Sequence, residues 1–331
     1  MTTAEGSLAC VILAHTDPAQ LHRLINALDP FPVYLHVDSR VATVQHTAMV
    51  TGLSDRCVLL PRIKTGWAKF ENVEAEIAGY RAALAGSTAT HIALLTGTDY
   101  PLASTAEISL VLGGLLGRSV AKVFALPYPN WGKSGGFARL RYRHWAYQKH
   151  MLRVPLPRRL PEGIIFSGGS QLKVLARGHA QAVVDAFDHN PGLVRFWRRS
   201  WVADETFVPS ILSTPRFSPN WAAEHVSAEL WWIGWDDTPK KSPPWLTLEH
   251  RQSVLSRRST AEQPLDHLFA RKFTTGQSDD LLALIDVSLR GSSAGFPATS
   301  IAGDVGAAGD VGAATVAGVS AEATGQRRDE I

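Results

Sequence analysis

His91-Ile-Ala-Leu-Leu-Thr-Gly-Thr-Asp-Tyr-Pro-Leu102 is the stretch on which the fold turns. Its apolar run, Ile92–Leu95, stops abruptly at Thr96-Gly97-Thr98-Asp99. A short unbroken apolar run bounded by turn residues reads as a strand buried on both faces, as in parallel sheets. Gly97 lets the backbone turn, and Pro101 blocks continuation of the strand. In open α/β sheets, ligands occupy the crevice beyond the carboxyl ends of the strands. Asp99 is therefore either a carboxylate delivered to a ligand or one that hydrogen-bonds its own turn.

The same pattern recurs on both sides. Leu8–Ala14, Val33–Val37, Cys57–Leu60 and Ala121–Leu126 read as further strands. Asp17-Pro18 makes a helix start, with Asp as N-cap and Pro in the first turn, followed by Leu21, Leu24, Ile25 and Leu28 at helical spacing. Glu71–Leu84, Thr105–Leu116 and Ala180–Phe187 read as helices. Strands alternating with helices predict an α/β fold with a mainly parallel central sheet and helices on both faces.

Farther along, residues 127–161 read as a long working loop, rich in Arg, His, aromatics and Pro. Strand character returns at Gly163–Leu175, a helix is expected over Trp201–Leu212, and a strand over Leu230–Trp235. Short helices near Leu248–Leu255 and Pro264–Lys272 and an amphipathic helix over Ser278–Leu289 complete a single domain, residues 1–290. From Gly291 to Ile331 the chain is Gly/Ala/Val/Ser-rich, with GDVGAA repeated, and reads as a disordered tail.

Composition narrows the classes. The 331 residues are 45% hydrophobic and 19% charged, which are globular values. Two cysteines, Cys10 and Cys57, lie in strand-like runs and read as reduced thiols rather than a disulfide. No Cys/His cluster has zinc spacing, so no metal site is expected. No signal peptide and no run of ~20 apolar residues is present, so a cytoplasmic protein without a membrane span is expected. The net charge is +3; the tail carries two Arg against five Asp/Glu, which leaves +6 on residues 1–290. That excess suits an anionic ligand and is too small to argue nucleic acid.

Three groups could carry chemistry. Asp204-Glu205 sits where a basic segment meets a helix start: a base that removes a proton from an attacking hydroxyl, or an N-cap and a first-turn acid. Arg271-Lys272 at the end of a short helix could clamp a phosphate or cap carbonyls. Arg139, Arg141, Arg143, His144 and Lys149, interleaved with Trp131, Tyr142, Trp145 and Tyr147, suit sugar and phosphate, single-stranded nucleic acid, or solvent. Neither a GxSxG elbow nor a phosphate-binding glycine motif is present.

Eight segments fall in one order: ILAHTDPAQLHRLINAL (Ile12–Leu28), YLHVDSR (Tyr34–Arg40), GWAKFENVEAE (Gly66–Glu76), LLTGTDYPL (Leu94–Leu102), GGSQLKVLAR (Gly168–Arg177), VADETF (Val202–Phe207), IGWDD (Ile233–Asp237) with SPPWLTLE (Ser242–Glu249), and LFARKF (Leu268–Phe273). Together they resemble the core-2/I-branching β-1,6-N-acetylglucosaminyltransferase family, which includes peptide O-xylosyltransferases. The resemblance implies a GT-A glycosyltransferase fold and an inverting, single-displacement transfer from a UDP-sugar to a hydroxyl of a small molecule or glycan. It implies Glu205 as general base. It also implies a lysine, Lys272, and an upstream arginine in place of a metal at the diphosphate, so that no cofactor is expected. Arg251 is the best match for that arginine, with Arg257 and Arg258 behind it. Uridine contacts map onto Ile12, Ala14-His15 and Asp38, and Asp99 would approach the donor sugar or pyrophosphate. Acceptor-side positions map onto Trp235 and Asp237, where Asp replaces an aromatic. Arg141, Arg143, Gly169, Ser170 and Asp204 complete the expected substrate contacts. A metal-dependent transferase using Asp99, and a non-catalytic nucleic-acid-binding protein, are the rivals.

Overall fold

A computed structural model describes residues 6–147, 150–235, 242–256 and 265–291. In chain order the elements are β1 (Leu8–Ala14), α1 (Pro18–Ala27), β2 (Val33–Val37), α2 (Thr43–Val50), β3 (Cys57–Leu59), α3 (Glu71–Gly86), β4 (His91–Thr96), β5 (Asp99–Pro101), α4 (Thr105–Gly113) and β6 (Ser119–Ala125). Then come α5 (Ala138–Arg141), β7 (Arg143–Tyr147), β8 (His150–Val154), β9 (Ser167–Ala176), α6 (Arg177–His189), α7 (Pro191–Trp197), α8 (Phe207–Ser213), α9 (Trp221–Glu224), β10 (His225–Val226), β11 (Trp231–Ile233), α10 (Arg251–Ser256), β12 (Phe269–Arg271) and α11 (Asp279–Ser288).

The main sheet has seven strands in the order β10-β6-β9-β4-β1-β2-β3. All neighbours are parallel except β9, which runs antiparallel between β4 and β6. This is the expected GT-A type of sheet, α/β and mainly parallel. Strand β1 shows why both faces are covered. Cys10, Ile12 and Ala14 point into one core with α1, while Ala9 and Val11 point into the other with α3 and α6. Alternate side chains of a strand face opposite sides, so an unbroken apolar run needs helices on both.

One charged pair lies inside this packing. Lys173 of β9 and Glu76 of α3 meet at 2.9 Å with side chains 1% and 0% exposed, and the Tyr80 hydroxyl donates to the same Glu76 oxygen at 2.8 Å. Removing one partner of such a pair strands a buried charge at a cost of ~3–5 kcal/mol.

A second sheet of three strands, β11-β12-β5, stands at the carboxyl end of β4. It corrects the helix expected over Pro264–Lys272. Phe269, Ala270 and Arg271 pair with β11 on one side and with Pro101, Tyr100 and Asp99 on the other. Phe269 and Ala270 are fully buried there, and cross-strand burial overrides the helical spacing of the sequence. The continuous helix over Trp201–Leu212 is also corrected: a 3-10 turn, Ala203–Glu205, precedes α8. The expected loop 127–161 contains α5 and the antiparallel hairpin β7–β8. Three helices have no counterpart in the sequence reading, α2, α7 and the short α9; α2 buries only Met49 and so carries almost no apolar stripe. The tail beyond Gly291 lies outside the described residues.

Candidate active site

β1 and β2 end side by side, because Ala14 pairs with Val37 and the Asp38 amide donates to the Ala14 carbonyl at 2.9 Å. Asp38 is buried and held on three sides. Arg40 donates through Nε and Nη2 at 3.0 and 2.9 Å, the Arg40 amide donates at 2.7 Å, and the Thr65 hydroxyl donates to Oδ2. Burial alone would raise this carboxyl, but the bonds from Arg40 and Thr65 outweigh it and hold it well below the usual range. His15 stands exposed just beyond β1. Burial lowers its ring pKa against the pull of Asp38, with Arg40, Lys272 and Arg271 adding to the lowering. Ile12, two residues before the end of β1, has its side chain fully buried in the core.

The cations arrive on β12. Asp99 pairs across the ladder with Arg271, whose Nε lies 3.5 Å from Asp99 Oδ1. Asp99 also accepts from the Thr96 amide at 2.9 Å, the Thr96 hydroxyl at 2.6 Å and the Trp231 indole at 3.1 Å. It is 0% exposed, so these contacts favour the turn-holding reading over direct approach to a donor. Burial raises its carboxyl pKa, with Arg271 opposing. What Asp99 does is fix Arg271 and, with it, Lys272. The Lys272 ammonium donates to Ser242 and lies 5.8 Å from the Trp245 ring. Burial, then the neighbouring Arg271, lowers it to about 8. The segment is tied to β1 through Asp17, which accepts from Thr274 and Thr275 at 2.7–2.8 Å while capping α1. Trp235, two residues past β11 and 51% exposed, stands at the same end, since Ile233 pairs with Arg271.

Asp204 and Glu205 both lie in the first turn of the 3-10 helix; the N-cap, one of the two readings for Asp204, is Val202 in a left-handed conformation. The two carboxylates differ sharply. Asp204 is buried, accepts from Asn72 Nδ2 at 3.2 Å, and keeps Oδ1 without a hydrogen bond. Burial, then the charge of Glu205, raises it to about 7. Glu205 is 36% exposed, and its Oε2 meets Arg139 Nη1 at 2.5 Å. The Arg139 guanidinium lies 3.9 Å from the Trp131 ring centre and 5.5 Å from that of Trp201. Trp131 in turn fills the space above Gly168, where a Cβ would come within 2.5 Å of its ring. At Gly169 a Cβ would meet the Lys122 carbonyl oxygen at 2.2 Å, so this glycine serves the β6–β9 approach. Ser170 is half-buried on β9, its hydroxyl accepting from the Leu172 amide at 3.2 Å.

One loop joins the two halves. Thr65 donates to Asp38; Asn72, which binds the neighbouring Gly66 carbonyl at 3.0 Å, donates to Asp204. Trp67 meets Trp201 edge-on at 6.4 Å. The GWAKFENVEAE segment thus links the carboxyl end of β2 to the turn bearing Glu205. That segment was visible in the sequence, but a role for Thr65, Asn72 or Arg139 needs the contacts across the chain.

Other expected residues stand apart. Arg251 is exposed at the start of α10, bonded to Leu248 O at 3.5 Å, and among the described residues no ion pair joins it to His15, on which Arg40 and Arg271 act. Arg141 and Arg143 are exposed and line two different cavities, of about 900 and 450 Å³. Lys149, Asp237, Arg257 and Arg258 lie outside the described residues. Among the described residues, no group of three or more His, Cys, Asp or Glu could hold a metal ion, and no helix is long and apolar enough to cross a membrane.

The Core-2/I-Branching enzyme family profile matches residues 9–255, and the chain belongs to that family. It is therefore a glycosyltransferase, acting between a sugar donor and an acceptor. No curated protein matches the chain. Solved structures that overlap it in part include HddC from Yersinia pseudotuberculosis, at 10% identity over 52% of this chain and 78% of that one, TM-score 0.26. Another is a putative glucose-1-phosphate thymidylyltransferase from Bacillus anthracis in complex with a sucrose, at 7% identity over 54% and 74%, TM-score 0.25. Overlaps of that size carry no argument.

Proposed function

We propose that the chain transfers a sugar, GlcNAc or else glucose or xylose, from a UDP-sugar to a hydroxyl with inversion at the anomeric carbon. Asp38 and His15 take the nucleoside side of the cleft, and Trp235 the acceptor side. As the acceptor oxygen bonds to the anomeric carbon, its proton passes to Glu205. The bond from that carbon to the diphosphate breaks, and the leaving UDP takes the electron pair. Lys272 and Arg271 meet the charge that develops there. No divalent metal enters this reading.

The observation that supports it best is the hydrogen-bonded loop from Asp38 through Thr65 and Asn72 to Asp204. It ties the nucleoside side and the base to one rim of the sheet. Glu205 suits a base: Arg139 orients one oxygen, and Oε1 carries no bond to another described residue. The test is a thermal-shift panel of UDP, UDP-GlcNAc, UDP-glucose, UDP-xylose and GDP-sugars, with and without Mn²⁺. Stabilisation by UDP compounds alone, unchanged by chelator, is expected. Stabilisation only with Mn²⁺ would overturn the cation clamp, and indifference to UDP would overturn the donor.

A further inference from the structure

Outside the cleft, Arg143, Arg158, Arg159, Arg195 and Arg199 surround a cavity of about 450 Å³, with Trp145 and Phe196 in its wall. Among the described residues no carboxylate lines it. Arg159 pairs with Glu162, but Arg143, Arg195 and Arg199 have no acidic partner among the described residues. Arg198, between them in sequence, is the one paired outward, to Glu74 at 2.5 Å. Arg158 is built in: it donates to the Leu140 and Phe196 carbonyls at 2.7 Å and to the Ser200 hydroxyl at 2.6 Å, none of which neutralises it. Burial, and after it the neighbouring Arg143, lowers this guanidinium to about 10.

An ordinary solvated basic face spreads its charges apart. Here the five arginines line one concavity, with Arg195 on α7 and Arg199 in the turn just beyond it. Arg199 is held 5.2 Å from the Trp145 ring centre. Planar guanidinium forks match the oxygens of a phosphoryl group, and three of them, Arg143, Arg195 and Arg199, have no acidic partner among the described residues. The volume leaves room for more than the phosphoryl group alone, beside two aromatic rings.

We infer that this cavity is a second anion site, which takes a phosphorylated organic group whose carbon portion packs on Trp145 and Phe196. The group could belong to a soluble phosphate ester or to an anionic lipid headgroup, since the hairpin places exposed Leu152 directly across from Trp145. The inference does not depend on the transferase reading.

The test titrates full-length protein with phenyl phosphate and inorganic pyrophosphate, and sediments it with phosphatidylcholine vesicles with or without phosphatidylglycerol. Three proteins are compared: wild type, Arg195→Ala/Arg199→Ala and Lys272→Ala. Phenyl phosphate is expected to bind wild type and Lys272→Ala alike and the double variant at least about tenfold more weakly. A melting temperature of the double variant equal to that of wild type certifies its fold. Phosphatidylglycerol-dependent sedimentation lost in the double variant, without phenyl phosphate binding, assigns the lipid source. Anion binding lost in Lys272→Ala but kept in the double variant would place anions in the cleft only and overturn the inference, while leaving the transferase reading intact. Binding to none of the probes overturns it as well.

Discussion

Arg139 holds Glu205 by a single oxygen, Nη1 to Oε2 at 2.5 Å, with the Trp131 ring 3.9 Å from the guanidinium carbon. The pair fixes where the other oxygen can point. Glu205→Gln keeps the shape and removes the basicity, so turnover should fall about 10²–10⁴-fold with donor binding unchanged. Arg139→Lys keeps the charge but not the planar stack, and kcat should fall by about tenfold while the donor KM holds. Steady-state kinetics decides; near wild-type turnover by Glu205→Gln removes this residue from the role of base.

Lys272 should make nucleotide binding pH-dependent. Its folded-state pKa of about 8 means that the free protein loses this charge as pH rises through that value. UDP affinity should therefore weaken above pH 8, by up to about tenfold per pH unit. Calorimetry of UDP binding across this range checks it, and Lys272→Ala should flatten the profile. The stability of the free protein moves the other way. Between about 8 and 10.5 the unfolded chain holds more protons at this site, so the lysine's burial penalty fades as pH rises.

Asp204 works in the opposite sense. Its carboxyl is raised from 3.8 to about 7, so the stability of the folded form is fully present below 3.8 and lost as pH rises through 7. Asp204→Asn keeps the shape and cannot ionise. Its melting temperature should equal that of wild type near pH 3.8 and exceed it at pH 8, by on the order of a few kcal/mol of stability. Thermal unfolding at the two pH values measures the gap; equal gaps would show that Asp204 is not a strained acid.

The buried pair between Lys173 and Glu76 gives a test of the frame alone. Lys173→Met leaves Glu76 without its cation in the sheet–helix interface and should cost ~3–5 kcal/mol. Adding Glu76→Met should restore part of that loss, because it removes the stranded charge while leaving the buried Tyr80 hydroxyl without its acceptor. Urea unfolding of the single and double variants would falsify the assignment if the second substitution deepened the loss.

Much of the sheet could be read directly. Leu8–Ala14 and Val33–Val37 run as expected, because a strand buried on both faces must be apolar throughout and its ends are marked by Asp17-Pro18 and Asp38. Asp38 and Glu205 were legible as residues that stand at strand and turn ends. Arg139, Thr65 and Asn72 were not, because nothing local distinguishes a surface arginine or asparagine from one that holds a carboxylate 132 or 66 residues away.

The order of the motifs alone determined the family, the parallel sheet and the glutamate to examine. Only the tertiary structure decided that Arg271 sits on a strand rather than a helix, that Asp99 faces inward to hold it, and that Ile12 is core. Local sequence sets the period of an element, but burial and partner choice depend on residues distant in the chain, and at β12 those distant partners prevailed.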